Sequence, residues 1–329
     1  MSETMAAVAY RESLPITDPR SLQDLTLPKP EPGPHDLLVR VEAVSVNPVD
    51  VKVRAGSNPH GEAKILGWDA AGVVERVGDA VGLFRPGDEV YYAGSIARPG
   101  SNAQFQAVDE RIVGAKPASL DFGAAAALPL TALTAWESLF ERFRLTETST
   151  GRLLVLASAG GVGSILTQLA RQLTDLTVIG TASRAESRQW SLDHGAHEVI
   201  DHRTDYPGLA NTIDYLFSPN SAGMEETFAD LLRPYGEIVA IDEPSLDLRP
   251  LKSKSITWHW ELMFTRALYD QDSTAQHEIL TTVAGLIDKG VLRTTETKRY
   301  DGITAANLRD AHAHIESGSA IGKTVLIGF

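Results

Sequence analysis

Three glycines that follow a short apolar run are the residues of this chain whose spacing most clearly suits chemistry. In LLVLASAGGVGSILTQLARQ, residues 153–172, the aliphatic run ends at Ser158 and the glycines stand at positions 160, 161 and 163. A buried strand that turns into a helix through glycines lets backbone N–H groups approach a pyrophosphate at the helix N-terminus. Ser158 replaces the first glycine of the G-x-G-x-x-G fingerprint, so the turn alone fits either a dinucleotide site or a tight connection without a ligand.

The residues after the second strand of this unit indicate which dinucleotide to expect. NAD-binding units place Asp or Glu at the end of that strand to hold the ribose 2′-hydroxyl. Here the strand TVIGTAS ends at Ser183 without an acid, and Arg184 and Arg188 follow. Guanidinium–phosphate hydrogen bonds contribute about 1.5–3 kcal/mol, so this pattern suits a 2′-phosphate. It predicts NADPH, although arginines that open a helix can also be solvated without a ligand.

Cysteine is absent, which excludes disulfide bonds, thiolate nucleophiles and zinc sites built on cysteine. His194, His197 and His202 are spaced by three and five along a predicted turn and strand. His312 and His314 lie two apart, which on a helix puts them on different faces. Surface or capping roles are favoured for these histidines, and we predict no metal site.

The bulk composition excludes several classes of protein. With 43% hydrophobic and 22% charged residues among 329, the chain can fold into two domains. Its formal net charge of −13 and its lack of a Lys/Arg cluster argue against nucleic-acid binding. Apolar runs fall short of the roughly 20 residues of a membrane helix, and MSETMAAVAYRES is not a signal-peptide pattern. We therefore predict a cytoplasmic protein that binds neither nucleic acid nor membrane.

The elements that must position the glycines and arginines show two different patterns. Short alternating strands separated by turn residues, such as HDLLVRVEAVSVNP and RPGDEVYYAG, predict an irregular β-rich domain over residues 1–124. Strands then alternate with helices, which predicts a doubly wound Rossmann domain over residues 125–267. That unit is complete by about residue 263, so residues 268–329 are expected to return to the first domain. The predicted fold class is α/β.

Within the second domain, the pattern predicts strands at residues 153–158, 177–183, 198–201, 213–217 and 237–241. Helices are predicted after the glycine turn, from Ala185, and over about residues 223–232. Further on, QHEILTTVAGLIDKG and NLRDAHAHIESG predict two amphipathic helices, and KTVLIGF predicts a last strand.

Several stretches together carry a resemblance that covers essentially the whole chain: SVNPVDVKVRAG, ILGWDAAGVVERVG, FRPGDEVYYAGSIARPGSNAQFQAV, AALPLTALTAWESL, LKSKSITWHWELMFTR and ESGSAIGKTVLIGF. With the AGGVGS turn, they resemble the medium-chain dehydrogenase/reductase superfamily and, within it, the zinc-free quinone oxidoreductase branch, often named zinc-type alcohol dehydrogenase-like. The resemblance implies that the β-rich domain is GroES-like. Where zinc enzymes of the superfamily carry Gly-His-Glu, this chain has Gly67-Trp68-Asp69, and the Asn47 region stands where their cysteine falls.

The resemblance also implies catalytic residues. Asn47 and Asp50 are expected to face the cleft near the nicotinamide, and Tyr92, or its neighbour Tyr91, could donate a proton or a hydrogen bond to the substrate oxygen. Structural alternatives remain open: Asn47-Pro48 as a turn, Asp50 as a salt-bridged surface acid, and the tyrosines as core or rim residues.

On the cofactor side, the resemblance implies that Thr131 contacts the carboxamide or ribose side of the nicotinamide, that Phe264 packs near it and that Lys323 approaches the phosphates. Thr131 could instead bond a backbone carbonyl. The expected cofactor-binding residues are Thr131, Ser158, Gly160, Gly161, Val162, Gly163, Ser183, Arg184, Arg188, His202, Phe264 and Lys323.

The expected activity is NADPH-dependent hydride transfer to a small quinone-like acceptor without catalytic zinc, because hydride transfer is the cofactor's own chemistry. One alternative is a reductase of enones or 2-alkenals. Another is a protein that binds NADPH without turnover, as a sensor or a structural protein. The family also implies a homodimer, with SITWHWEL (residues 255–262) as a candidate edge strand, although its tryptophans could equally be core.

Overall fold

The computed structural model describes residues 3–329, with strands at both ends of the chain and alternating strands and helices in the middle. In chain order the strands are β1 (Thr4–Tyr10), β2 (Gln23–Pro28), β3 (Asp36–Ser45), β4 (Lys64–Ile65), β5 (Ala70–Val77), β6 (Glu89–Tyr92), β7 (Phe105–Asp109), β8 (Val113–Ala115), β9 (Arg152–Val155), β10 (Thr177–Thr181), β11 (Glu198–Ile200), β12 (Ile213–Ser218), β13 (Leu232–Ala240), β14 (Thr257–Trp260), β15 (Glu296–Asp301) and β16 (Lys323–Ile327).

The α-helices are α1 (Pro48–Gly56), α2 (Phe122–Ala126), α3 (Pro129–Trp136), α4 (Gly161–Leu173), α5 (Ala185–Asp193), α6 (Glu225–Leu231), α7 (Phe264–Tyr269), α8 (Ala275–Asp288) and α9 (Ala305–Glu316). A π-helical segment, Glu137–Arg142, follows α3, and short 3-10 turns lie at Glu110–Ile112, Tyr206–Leu209 and Arg249–Lys254.

The chain divides into two units. Unit 1 comprises Met1–Leu133 and Phe264–Phe329, and unit 2 comprises Thr134–Met263. The sequence pattern predicted these divisions at residues 124/125 and 267/268. The C-terminal segment belongs to unit 1 because its last strand, β16, pairs with β3 near the N-terminus.

Unit 1 is built on a largely antiparallel sheet. Its strand order is β15-β16-β3-β5-β6-β8, with β7 also paired to β3, and β15 lies parallel to β16. A smaller sheet has the order β2-β1-β4. Burial alternates along β7, which has one face in the core as the alternating sequence pattern predicted, and along β2, whose inner face is half-buried.

Unit 2 is a doubly wound parallel sheet with the strand order β11-β10-β9-β12-β13-β14. Aliphatic residues of its central strands, among them Leu154, Ile179, Leu216 and Ile238, form its core with Phe228 of α6. The predicted α/β fold class, a β-rich unit plus a doubly wound unit, is confirmed.

Several predicted boundaries differ by a few residues. β10 ends at Thr181 rather than Ser183, because the chain leaves the sheet after the amide of Ala182 bonds the carbonyl of Ile200. β13 begins at Leu232, five residues before its predicted start at residue 237, because Leu232 already pairs with Ile213 of β12.

The helices over residues 3–329 are each too short or too polar to cross a bilayer.

Candidate functional site

The glycine turn joins β9 to α4 in unit 2. Gly160 is the N-cap of α4 and has extended backbone angles, with φ −74° and ψ 176°. The amide of Gly160 bonds the carbonyl of Ala157 at 2.9 Å, and Ala157 has a left-handed φ of 51°. The turn therefore delivers the first N–H groups of α4, which have no partner within a helix, to the position that the fingerprint reserves for a pyrophosphate.

The glycines at positions 160 and 163 have different surroundings. A Cβ on Gly163 would lie 2.4 Å from the carbonyl oxygen of Ala157 and 2.7 Å from the Cα of Ser158, so the helix packs too closely on the turn for any side chain. A Cβ on Gly160 would meet only the oxygen of Ala157, at 3.3 Å. Gly163 thus serves packing, and Gly160 leaves its own side of the turn accessible, as the fingerprint requires.

Ser158 holds the turn from inside. Its hydroxyl is fully buried, lies 2.7 Å from the hydroxyl of Ser191 on α5 and bonds the carbonyl of Thr181 at 3.2 Å. A Cβ on Gly180 would lie 2.5 Å from the Ser158 oxygen, so the serine fits because the adjacent strand carries a glycine there. The expectation that the Ser158 side chain contacts the cofactor is therefore corrected, because its hydroxyl bonds within unit 2.

The predicted 2′-phosphate residues lie at the start of α5. Ser183 is half-buried, Arg184 is the exposed N-cap of the helix, and Arg188 is half-buried. The amide of Arg188 bonds the carbonyl of Arg184 at 2.9 Å, so these residues stand one helical turn apart as predicted. No acid lies between the end of β10 and this N-cap.

Two neighbours complete this region of unit 2. The pKa of Asp205 lies below its ordinary value, chiefly because its carboxylate accepts hydrogen bonds from Asp201 N–H and the Thr204 hydroxyl, and further because the Arg188 charge is near. His202, an expected cofactor contact, is exposed in the turn that follows β11.

Asp69 is the centre of a buried polar cluster in unit 1. Its side chain has no solvent exposure. Its Oδ2 atom accepts hydrogen bonds from Ser45 Oγ at 2.9 Å, Asn47 Nδ2 at 2.8 Å and Lys323 Nζ at 2.9 Å. Its Oδ1 atom accepts one from the backbone N–H of Leu130 at 2.7 Å. The carboxylate therefore ties β3, the residue before α1, β16 and the start of α3 together.

Asn47, one of the expected catalytic residues, is buried in this cluster. Its amide nitrogen donates to Asp69 Oδ2 and, at 3.2 Å, to the carbonyl of Trp68, and its amide oxygen accepts from Lys323 Nζ. An ammonium group only donates and a carboxylate only accepts, so the chemistry of the partners fixes this amide orientation. Both side-chain N–H groups of Asn47 are bonded, and the residue is 1% exposed.

Asp50, the second expected catalytic residue, reaches back to the start of its own helix. Its oxygens accept hydrogen bonds from the N–H of Asn47 at 2.7 Å and from the N–H of Gly67 at 2.9 Å. Burial raises the pKa of Asp50 to about 7 in spite of these donors and the charge of Lys323. The alternative of a surface acid is wrong, because the residue is 1% exposed and caps α1 as in a capping box.

Lys323 bonds inside unit 1. Its ammonium donates to the carbonyl of Val46 at 3.0 Å, to Asn47 Oδ1 and to Asp69 Oδ2. These acceptors, all within the described residues, match the three N–H donors of an ammonium group. The expected approach of Lys323 to the cofactor phosphates is therefore corrected.

Two further expected cofactor contacts lie near this cluster. The Thr131 hydroxyl donates to the carbonyl of Leu128 at 3.0 Å, so the backbone alternative holds and the hydroxyl keeps only acceptor capacity. Phe264 is buried edge-to-face against Trp68, with 6.1 Å between ring centroids. The indole N–H of Trp68 donates to the carbonyl of Ser95 at 3.2 Å.

Tyr92 has a hydroxyl without a hydrogen-bond partner among residues 3–329, and the residue is 1% exposed. Burial raises the pKa of this phenol well above its ordinary value, which makes it a weaker proton donor. The hydroxyl of Tyr91 on the other face of β6 donates to the carbonyl of Leu280 at 2.6 Å. Both tyrosines are core residues, so the expectation that Tyr92 donates the proton is corrected.

The sequence reasoning gave no role to Asp69, which bonds two of the expected site residues, Asn47 and Lys323. One signal could have found it: Asp69 and Lys323 are the charged residues of the apolar runs ILGWDAAGVV and IGKTVLIGF. A charge inside a buried strand needs a partner of opposite charge, so the two runs together predict an ion pair.

Comparison with known proteins gives two family matches. Residues 33–128 match the alcohol dehydrogenase GroES-like domain, and residues 194–326 match the family described as zinc-binding dehydrogenase. The zinc-type alcohol dehydrogenase-like protein of Staphylococcus epidermidis is 38% identical over 98% of this chain and 99% of its own length. The chain belongs to the medium-chain dehydrogenase/reductase superfamily, in its quinone oxidoreductase branch.

Solved structures of the superfamily superpose over the whole chain. A protein from Rhizobium etli, provisionally designated a zinc-dependent alcohol dehydrogenase, is 49% identical with a TM-score of 0.95, covering 100% of this chain and 99% of the other. The quinone oxidoreductase from Coxiella burnetii is 25% identical with a TM-score of 0.85, covering 99% and 100%. These matches identify unit 1 as GroES-like and confirm the doubly wound unit 2.

Several names in this superfamily imply zinc, and the donor set here does not fit that ion. The Trp68 side chain offers no lone pair, the Asn47 amide donates its N–H groups to Asp69 and to the Trp68 carbonyl, and the Lys323 ammonium already bonds the Asp69 carboxylate. Across residues 3–329, no group of three or more His, Asp or Glu residues is arranged to hold a metal ion.

Proposed function

We propose that this protein is a zinc-independent oxidoreductase that uses NADPH to reduce a quinone-like acceptor. The observation that carries the proposal is the end of β10, where the chain leaves the sheet without an acid and Arg184 stands exposed at the N-cap of α5. An acid there would hold the 2′-hydroxyl of NADH and repel a 2′-phosphate, whereas guanidinium groups bind phosphate.

The residues that would hold the cofactor fit it unit by unit. In unit 2, the N–H groups of Gly161, Val162 and Gly163 would bind the pyrophosphate, and Ser183, Arg184 and Arg188 would bind the 2′-phosphate, with His202 beside the adenosine end. In unit 1, Thr131 and Phe264 are each 2% exposed, so the proposal places the cofactor contacts on the residues of unit 2. The space left beside Gly160 supports this fit, because a closed turn could not receive a pyrophosphate.

Bound NADPH supplies the hydride, and the chain supplies orientation and a site from which water is excluded. The acceptor needs one further proton, which we assign to solvent. Tyr92 is a buried and weakened acid, and the N–H groups of Asn47 are already bonded inside unit 1. The protein also works without zinc in this proposal, since the polar cluster around Asp69 contains a lysine ammonium.

The test is NADPH oxidation against a panel of quinones, enones and 2-alkenals, with and without EDTA, together with elemental analysis of the purified protein. We expect oxidation with quinones, no loss on chelation, and no stoichiometric zinc. Turnover restricted to enones or alkenals would favour the alkene reductase instead. Tight NADPH binding without NADPH oxidation by any acceptor of the panel would favour a sensor or a structural protein. One tightly held zinc ion per chain would contradict the proposal.

A further inference from the structure

We propose that Glu137 and Glu261 share a single proton and that this acid pair is a pH-sensitive fastening of β14, the last strand of the unit 2 sheet among residues 3–329. Glu137 opens the π-helical segment Glu137–Arg142, and Glu261 follows β14 directly. The two residues are 1% and 3% exposed, and neither has a part in the proposed cofactor site. The inference concerns unit 2 alone and does not depend on the proposed function.

The first step of the argument is the set of hydrogen bonds around the Glu261 carboxyl group. Its Oε2 atom accepts from Arg142 Nε at 2.7 Å. Its Oε1 atom is buried and has no N–H or hydroxyl donor among residues 3–329. The side chains of Glu261 and Glu137 are nevertheless hydrogen-bonded to each other. An ionised carboxylate only accepts hydrogen bonds, so this bond requires a proton on one member of the pair.

The second step is the balance of charge around the pair. Arg142 supplies a positive charge, and Glu141 of the same segment adds a negative charge nearby. The charged groups of the adjacent strands pair with one another: Glu237 of β13 with His259 of β14 and with Arg144. Burial raises the pKa of Glu261 in spite of its bonds to Glu137 and Arg142. A guanidinium thus faces two buried carboxyls and a third acid, and this excess of negative charge favours the retention of one proton.

The third step is what the acid pair holds in place. The N–H of Glu261 donates to the carbonyl of Ala240 at 3.0 Å, which continues the pairing of β14 with β13 beyond the end of the strand. Trp260 and Leu262, on either side, are 50% and 53% exposed. A buried carboxyl between two half-exposed apolar residues therefore fastens the strand end to the π-helical segment. When the shared proton is lost, two like charges face each other in the interior and this end of β14 is released.

The shared proton makes stability depend on pH with a definite sign. In the unfolded chain both carboxyls ionise near the ordinary pKa of glutamate, about 4.3. Above that pH the folded chain binds one proton more than the unfolded chain does. Stability therefore falls as the pH rises, until the pair itself ionises as a unit. One proton changes the unfolding equilibrium constant about tenfold per pH unit.

The test compares the native chain with Glu137→Gln in denaturant titrations at several pH values above about 5. Glutamine has a permanent NH₂ group, which donates to Glu261 Oε1 without a shared proton. Relative to the variant, the native unfolding constant should rise about tenfold per pH unit until the pair ionises. Glu141→Gln, a change of charge in the same segment outside the pair, is the matched control and should keep the native dependence. Parallel curves for the native chain and Glu137→Gln would overturn the proposal.

Two further measurements identify the proton and its structural effect. The infrared difference spectrum between the native chain and Glu137→Gln at neutral pH should contain the C=O band of a protonated carboxyl group, and so should that with Glu261→Gln. Amide hydrogen exchange, compared at equal pH, should show the Glu261 N–H of the native chain exchanging progressively faster than that of Glu137→Gln as the pH rises.

The outcomes of these measurements separate a shared proton from an ordinary pair of buried side chains. Absence of the carboxyl band from both difference spectra would overturn the shared proton. Equal exchange of the Glu261 N–H at every pH would overturn the fastening of β14. Should Glu137→Gln fail to fold, Glu261→Gln carries the same comparison in the titrations, because its NH₂ group donates to Glu137.

Discussion

Residues of the same type in one strand can be distinguished by what their side chains bond. Tyr91 and Tyr92 are adjacent on β6 and equally buried, yet the Tyr91 hydroxyl donates to Leu280 and the Tyr92 hydroxyl has no partner among residues 3–329. A buried polar group without a hydrogen bond destabilises the fold by about 1–3 kcal/mol relative to a solvated one. The two hydroxyls therefore make opposite contributions to stability.

Tyr92→Phe should leave the melting temperature unchanged or raise it, and should leave kcat for NADPH oxidation unchanged. Tyr91→Phe should lower stability by about 1 kcal/mol, because it leaves the Leu280 carbonyl without its donor. Thermal unfolding and initial rates on the two variants decide the matter. A tenfold fall in kcat for a well-folded Tyr92→Phe would restore that tyrosine as a proton donor.

His312 should make stability depend on pH. The residue is fully buried on α9, and burial, with the nearby Arg54 charge, lowers its pKa to about 3. Between about pH 6.5 and 3 the unfolded chain binds a proton there and the folded chain does not, so stability falls as the pH falls. The contribution is about 1.4 kcal/mol per pH unit.

We expect His312→Leu to flatten the dependence of unfolding free energy on pH between about pH 6.5 and 5 by roughly that slope. His314→Gln, two residues further on the same helix and less buried, is the control and should keep the native slope. Denaturant titrations at several pH values measure the difference. Parallel curves for the native chain and His312→Leu would refute the account of this histidine.

At the scale of elements, two glycines of the turn between β9 and α4 have different structural roles. Gly160 has backbone angles that any residue adopts, and a side chain there meets one atom at 3.3 Å. A Cβ on Gly163 would lie only 2.4 Å from the backbone carbonyl oxygen of Ala157. The two glycines therefore differ in the room for a side chain rather than in the backbone conformation that they require.

Gly160→Val should therefore fold and lose NADPH affinity sharply, because its side chain occupies the path of the pyrophosphate. Gly163→Ala should destabilise the protein itself, because its Cβ collides with the carbonyl of Ala157. Dissociation constants and melting temperatures on both variants test this division. Unchanged affinity in Gly160→Val would place the phosphates elsewhere.

The sequence predicted the parts of the site that depend on local pattern and missed those that depend on pairing. The turn, the missing acid after β10 and the one-turn spacing of Arg184 and Arg188 follow from neighbouring residues. The fit of Ser158 against Gly180, and the bond from Asp69 to Lys323, join residues that lie far apart in the sequence. A charge in an apolar run indicates that a partner is needed, but the further bonds of that pair depend on which segments are adjacent, and one sequence does not report this.

At the scale of the whole molecule, alternation of strands and helices was enough to predict the doubly wound unit, since each strand–helix repeat has its own apolar pattern. The division of the chain was harder to predict, because α3 continues without a break through the boundary at residues 133/134. Helical periodicity contains no signal for such a boundary.

The outer edge of unit 2 supports the expected homodimer. β14 is the last strand of its sheet among residues 3–329, and Trp260 and Leu262 are about half exposed there, while Trp258 packs on the core. We expect a dimer in sedimentation experiments at micromolar concentration, and Trp260→Lys should shift it towards monomer. A stable monomer of the native chain would remove this expectation.

The most direct test of the account is the cofactor preference set at the start of α5. Dissociation constants for NADPH and NADH are measured on the native chain, Arg184→Ala and Arg188→Ala. We predict that the native chain prefers NADPH and that Arg184→Ala weakens NADPH about tenfold, the loss of one partly exposed phosphate contact, while NADH is nearly unaffected. Arg188→Ala should act in the same direction but less, because Arg188 is half-buried one helical turn beyond the exposed Arg184. A native preference for NADH, or equal losses for both cofactors, would contradict the central claim.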